Sequence, residues 1–415
     1  MQISVNSEIG KLNAVVLHTP GHELENMTPE TVQRALYSDI LNLNVVLDEY
    51  AQFKGVLSKL TKIFEVSVLL EEILKIEKVK HELVNRICIN ENALEIREYL
   101  LELEPVELCK QLLQGVMMKK DNLTKFLSKD KYALQPLHNF FFTRDSAIAV
   151  NDRILISKMA NHVRKRESLI MEMILSKHPL IETKTINPEN YPGFNSNMTI
   201  EGGDILIARE DILLIGSSTR TSTQGIDFII NRLKDRKLER NIIIQELPSS
   251  PESFIHLDMV FTILDKDVCM IYNPLILKPN KYQTIHVNIN NGEVKSIERV
   301  ENIPSILKKL GMDMKPVICG GIKDEWVQER EQWHSGANFL AISPGKIIGY
   351  GRNVYTLEEL NKNGFEVIHS QDIIDNKFDI NNYKKCVITI EGSELSRGGG
   401  GTRCMSMPLN REQIV

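Results

Sequence analysis

The chain has 415 residues and a formal net charge of −5, from 50 Lys and Arg against 55 Asp and Glu; 25% of its residues are charged and 42% hydrophobic. A chain of this length and ordinary composition buries a large core, with two or three domains as the prior. The charge excludes the basic footprint of a nucleic-acid or anionic-membrane binder, and no apolar run approaches the ~18 residues of a membrane helix.

The N-terminus, "MQISVNSEIGKLNAVVLH", lacks a basic segment followed by an apolar one, so no secretory signal is expected. Residues 29–60 and 71–131 read as helical, the second rich in Leu, Glu and Lys with apolar residues three and four apart. After about residue 135 the character changes. Segments 146–157, 205–216, 260–272 and 339–350 are each two short apolar runs around a polar turn, the signature of hairpins covered on both faces. Helical patterns follow three of them, at 161–178, 223–236 and 356–364. A strand–strand–helix unit that recurs in this way predicts internal repetition in an α/β fold, and the 71–131 stretch, which breaks the rhythm, reads as an insertion. The six cysteines are scattered, with no CxxC pair, which argues against a zinc ribbon or disulfide framework and suits a reducing cytoplasm.

Three hairpins are preceded by "FTRD", "IEGGD" and "FIHLD", so Asp145, Asp204 and Asp258 enter them at equivalent places, with Glu201 and His256 just upstream. A single Asp there could simply cap a turn. A repeated set of acids at strand starts is a poor core choice, because an unpaired buried carboxylate is costly. Such a cluster wants a cation. The "HTPGH" pair, His18 and His22, cannot share a helix face across Pro20 and Gly21, so an organic cation such as a guanidinium fits better than a metal.

Near the C-terminus stands "RGGGGTRCMSMP" (397–408). A phosphate loop would need Lys and Ser or Thr after the glycines, and neither is present at that spacing. The glycines instead suit a sharp backbone turn close to a small ligand, which would present Cys404 as a nucleophile with His256 as acid–base partner. The other five cysteines read as buried small hydrophobes.

Taken in order, "LHTPGHELENMTP", "FTRD", "EGGD", "GSSTRTS", "HLDMVFT", "GANFLAI" and "RGGGGTRCMSMP" closely resemble the bacterial arginine deiminase family over essentially the whole chain. The resemblance implies a pseudo-fivefold α/β propeller of ββαβ-type repeats (1–70 and 132–415) with an inserted all-helical subdomain (71–131). It implies a cytoplasmic homo-oligomer that hydrolyses free L-arginine to L-citrulline and ammonia, with no metal, cofactor, nucleic acid or membrane involved. Matched motif by motif, Cys404 resembles the nucleophile, His256 the acid–base residue, Asp145 and Asp258 the pair that grips the guanidinium, and Glu201 the third acid. Asn139, Arg164 and Arg220 fall where the family binds the amino-acid end of the substrate. Arg397 resembles a lid residue, with Arg403 competing for that role, and Thr402 stands where many relatives have Pro.

Overall fold

The computed structural model describes residues 1–414 apart from 30, 31, 33–35, 38 and 236. All four predicted hairpins are present: Ala147–Val150 with Arg153–Ile156, Ile205–Arg209 with Ile212–Ser217, Phe261–Asp265 with Val268–Ile271, and Leu340–Ser343 with Lys346–Tyr350. Nearly all their residues are buried. Apolar side chains on both strand faces leave no face for water, so each hairpin is driven between other layers, gaining roughly 2 kcal/mol per buried Ile or Leu.

Each hairpin acquires a third strand, parallel to its second. Lys184–Ile186 joins the first, Arg240–Glu246 the second, Lys315–Ile318 the third and Cys386–Ile390 the fourth. Parallel neighbours cannot be joined by a tight turn, and helices make the crossings: Lys165–Lys177, Thr223–Lys234, Ile303–Lys309 and Val354–Lys362. A fifth sheet of the same kind unites the chain ends: Met407–Arg411 runs antiparallel to Leu12–Leu17, which runs parallel to Lys62–Glu65 beyond the helix Leu43–Leu60. The molecule is therefore a mixed α/β protein built from five related sheets among the described residues, besides one two-stranded ribbon.

Two predicted boundaries move. The helix expected over 29–60 begins at Leu43, where the Asn42 side chain accepts hydrogen bonds from the Asn44 and Val45 N–H groups and so caps the first turn. Part of that expectation, residues 30, 31, 33–35 and 38, lies outside the described residues. The helices read from residue 71 begin earlier, at Val66, and continue as Glu77–Asn90, Arg97–Glu102 and Pro105–Gln114. The stretch is not wholly helical, since Val116–Met117 pairs with Tyr132–Leu134. Helix Lys165–Lys177, with every residue from Arg166 to Leu175 buried, lies between this layer and its own sheet.

What positions the chemistry is the entry to each sheet. Asp145 lies in the single turn Thr143–Ser146, Asp204 in the turn Gly202–Asp204, and Asp258 in the turn Leu257–Met259, each directly ahead of a hairpin. Asn338 holds the same place before Leu340, and Cys404 before Met407. Five entries thus carry five polar side chains, and all are at least nine-tenths buried.

Candidate active site

A cavity of about 400 Å³ opens where these entries meet, lined among others by Asn139, Asp145, Arg164, Arg220, His256, Arg397 and Cys404. That volume suits a small-molecule site. Gly399 reaches it with φ +83°, a left-handed turn that side chains resist. At Gly401 a Cβ would lie 2.5 Å from the Asn338 Oδ1. The loop therefore folds tightly enough to bring Cys404 up against Asn338, and nothing larger than glycine fits at that point.

The Cys404 sulfur accepts a hydrogen bond from the Asn338 Nδ2 at 3.2 Å and stands 3.6 and 3.8 Å from the two oxygens of Asp258. Burial, then the Asp258 and Asp145 carboxylates, hold its thiol well above the ordinary range. His256 is 1% exposed. Its Nε2 is 3.0 Å from Glu201 Oε2 and its Nδ1 is 3.6 Å from Asp145 Oδ1. Burial alone would lower the imidazole's pKa, but Asp145, Glu201 and Asp204 overcome that and raise it to about 9. Glu201 shows the converse: burial favours its neutral form, yet His256 and Arg220 hold it down at about 2. At neutral pH the pair is an imidazolium beside a carboxylate. Asp204, raised to about 7 by burial, accepts from the Leu257 N–H at 2.9 Å and from the Ser218 hydroxyl at 2.6 Å, fixing the turn that carries His256.

Asp145 spends its Oδ2 on Arg164 at 2.7 Å, while its Oδ1, like the His256 Nδ1, is buried without a hydrogen-bond partner. Arg164 is shared with Glu167, whose oxygens lie 2.8 to 3.2 Å from its Nη2 and Nε, and with the Asn139 carbonyl at 3.3 Å. Arg220 has looser company, 4.0 Å from Glu201 Oε1. Asp258 lies behind Cys404, and the Oδ2 that stands 3.6 Å from the sulfur also accepts from Arg403 Nη1 at 2.7 Å, while Arg403 is gripped in turn by both oxygens of Glu8 at 3.0 and 3.1 Å. Arg397 and Arg403 thus occupy different worlds. Arg397, 38% exposed, pairs with Glu394 and Asp39 at the cavity rim, whereas Arg403 is sealed beneath Cys404. Thr402 is also buried, its hydroxyl donating to the Ile348 carbonyl at 2.7 Å.

All nine residues singled out in the sequence therefore gather here. Seven line the cavity, and Glu201 and Asp258 stand directly behind His256 and Cys404. Sequence reasoning missed Asn338, Glu8 and Glu167. Asn338 could have been found from its place before the fourth hairpin; Glu8 carries no local signal. The chemistry is legible in the charges. A sulfur, an imidazolium and several carboxylates suit a cationic electrophile that acceptors can hold. Asp145, Glu201 and His256 each offer an atom within 4.8 Å of the others, the geometry a divalent cation would also accept.

The family model and the sequence relatives agree on one family. The family model described as arginine deiminase matches residues 33–411. The arginine deiminase of Bacillus cereus (strain ATCC 10987 / NRS 248) is 34% identical over 432 residues, covering 99% of both chains. That of Listeria monocytogenes serotype 4a is 33% identical over 433 residues, covering 99% of this chain and 98% of its own. Among solved structures, the N-terminal domain of ArgZ, an arginine dihydrolase from cyanobacteria, superposes with a TM-score of 0.53 at 11% identity, covering 96% of this chain and 97% of that one. A dimethylarginine dimethylaminohydrolase does so with a TM-score of 0.50 at 14% identity, covering 95% and 99%. At such identities the structures speak to the fold alone.

Proposed function

The chain belongs to the arginine deiminase family, and on that premise we infer that it hydrolyses free L-arginine to L-citrulline and ammonia through a covalent adduct on Cys404. The observation that carries this reading is a buried thiol lining one cavity with an imidazolium and Asp145, with Glu201 behind the imidazolium and Asp258 3.6 Å from the sulfur. An acyl-transfer site would aim donors at a developing oxyanion; a guanidinium is already a cation and wants acceptors.

In the proposed sequence Asp145 and Asp258 hold the guanidinium and Glu201 contacts it beside His256. The substrate's positive charge offsets the carboxylates that suppress Cys404 ionisation, and the thiol proton leaves to solvent. The thiolate attacks the guanidinium carbon, forming a C–S bond as a C–N π pair moves onto nitrogen. His256 donates its proton to a terminal nitrogen, the C–N bond breaks and ammonia departs, leaving an S-alkyl thiouronium. Neutral His256 then takes a proton from water, whose oxygen adds to the same carbon. The C–S bond breaks with its electron pair returning to sulfur, the hydroxyl proton passes to that sulfur and restores the thiol, and citrulline is released. Alignment of sulfur and carbon is worth several of the roughly 7–11 kcal/mol that positioning can supply.

Asn139, Arg164 and Arg220 are assigned to the amino-acid end, and Arg397 to a rim that closes over it. Arg220 is the readier partner for a carboxylate, since Arg164 must first share or release Asp145 and Glu167. On the same reading the five related sheets form a pseudo-fivefold ring of ββαβ units, with 71–131 inserted into a body of 1–70 and 132–415. The shared strand pattern of the five sheets supports it. We place the protein in the cytoplasm as a homo-oligomer. Six free, buried cysteines suit a reducing compartment, and no helix among the described residues is long and apolar enough to cross a membrane. The test is citrulline formation with and without a chelator. Wild type should turn over regardless of chelator and Cys404→Ala should not. Loss of activity on chelation would replace this reading with a metal-dependent one.

A further inference from the structure

Four of the five sheet entries deliver a residue with an assigned part in the chemistry or in fixing His256: Asp145, Asp204, Asp258 and Cys404. The remaining entry delivers Asn338, which is 1% exposed and has no assigned role. Its carboxamide is fully committed. Oδ1 accepts from the backbone N–H groups of Arg403 at 2.9 Å and Cys404 at 3.4 Å, and Nδ2 donates to the Asp258 carbonyl at 3.1 Å and to the Cys404 sulfur at 3.2 Å. The acceptor contacts fix which end of the amide is nitrogen, because only an oxygen can receive two backbone N–H groups. The donor end therefore faces sulfur by necessity.

We propose that Asn338 is a catalytic residue of this enzyme, whose carboxamide N–H supports the negative charge on the Cys404 sulfur when it attacks and again when it leaves. The inference rests on Cys404 being the nucleophile. The groups facing that sulfur are mostly hostile to a thiolate: Asp258 at 3.6 and 3.8 Å, and Asp145 across the cavity. Arg403 favours the thiolate, but its charge is already claimed by Asp258 and Glu8. The Tyr350 hydroxyl, close enough to feel the sulfur, donates to the Gly400 carbonyl instead, and the His256 imidazolium directs its Nε2–H at Glu201 and its Nδ1 toward Asp145, 3.6 Å away, rather than at the sulfur. Favourable polarity at sulfur thus comes from the Asn338 amide and from the backbone at Gly401.

A hydrogen bond to a neutral thiol is weak, and one to a thiolate is stronger because the acceptor is charged. The Asn338 contact therefore gains strength as the thiol ionises, loses it as sulfur becomes a neutral sulfide in the adduct, and regains it when the C–S bond breaks. Support of a thiolate also makes it less nucleophilic. When thiol predominates, each unit of pKa gives about tenfold more thiolate and costs only about threefold in intrinsic reactivity. The balance favours the donor.

The test exchanges only that donor. Asn338→Asp keeps the oxygen that serves the Arg403 and Cys404 N–H groups and puts a carboxylate oxygen against sulfur. Two readouts are compared with wild type: the pH dependence of Cys404 alkylation by iodoacetamide, and kcat and KM for L-arginine. Alkylation should shift to higher pH by about 1 to 2 units, and kcat should fall at least tenfold. KM should stay within about threefold, since Asn338 does not line the cavity. Asn338→Ala, should the Asp variant fold poorly, should shift alkylation the same way by a smaller amount. A merely structural role would give the opposite split: a raised KM, a lowered melting temperature and an unshifted alkylation profile. An unshifted profile with unchanged kcat in either folded variant overturns the proposal. Cys404→Ala run alongside keeps the two readings apart, because turnover in that variant would overturn the nucleophile assignment itself.

Discussion

Replacement of Glu201 by Gln should discharge His256. In the structure the imidazole is buried and yet charged, its pKa held near 9 by Asp145, Glu201 and Asp204 against the pull of burial. Of these, Glu201 makes the hydrogen bond, at 3.0 Å. A unit charge about 4 Å away at an effective dielectric of about 20 is worth about 4 kcal/mol, or about 3 pKa units. Gln keeps the shape and a polar atom, so a drop of about 2 units is expected, to about 7. At pH 7.5 the imidazolium share would fall from nearly all to about a quarter. The assay is a direct titration of His256 by nitrogen NMR of the imidazole, in wild type and Glu201→Gln. The descending limb of kcat should move to lower pH in the same direction, because the first step needs the imidazolium. A His256 that titrates near 9 in the variant would refute the argument, for its charge would then owe nothing to Glu201.

Arg220→Ala should raise KM for L-arginine by about 10- to 100-fold, the worth of a charge-assisted hydrogen bond, and steady-state kinetics checks this. Glu8→Gln should destabilise the fold by about 3 kcal/mol at neutral pH, because it leaves the buried guanidinium of Arg403 half paired. Glu8 is held at about 2, below its unfolded value. Its contribution is therefore present above about pH 4.5 and lost as pH falls through about 2. Denaturation midpoints between pH 5 and 2 should fall more steeply for wild type than for the variant.

The hairpins were legible because their strands are covered on both faces and their turns are short and polar. Asn151 in the first sits at φ +56°, a conformation Asn tolerates. Two of the third, parallel strands were not legible: "KTI" and "KPVI" are only three and four residues long, part buried and part exposed, and no period can show in so few. The hairpin Thr284–Asn290 with Glu293–Val300 did carry a signal, the Asn291-Gly292 turn. Its charged second strand, almost wholly exposed, hid it.

The candidate site shows the same division. Acids at strand entries could be read because they recur, and the recurrence placed Asp145 and Asp258 beside Cys404. What each one is paired with could not be read. Glu8 and Arg403 meet across nearly the whole chain, and the pairing of the last strand with Leu12–Leu17 in the fifth sheet brings them together. Arg164 read as a substrate anchor, and that it lies buried between Asp145 and Glu167 could not be read.

The measurement that bears most directly on the account is acid-quenched mass spectrometry of the enzyme during turnover of L-arginine. The account predicts a transient increment of one arginine less one ammonia on the peptide that holds Cys404, absent from Cys404→Ala and lost as citrulline appears. Citrulline formed at full rate with no adduct on that peptide, under a quench fast enough to catch it, would contradict covalent catalysis by Cys404.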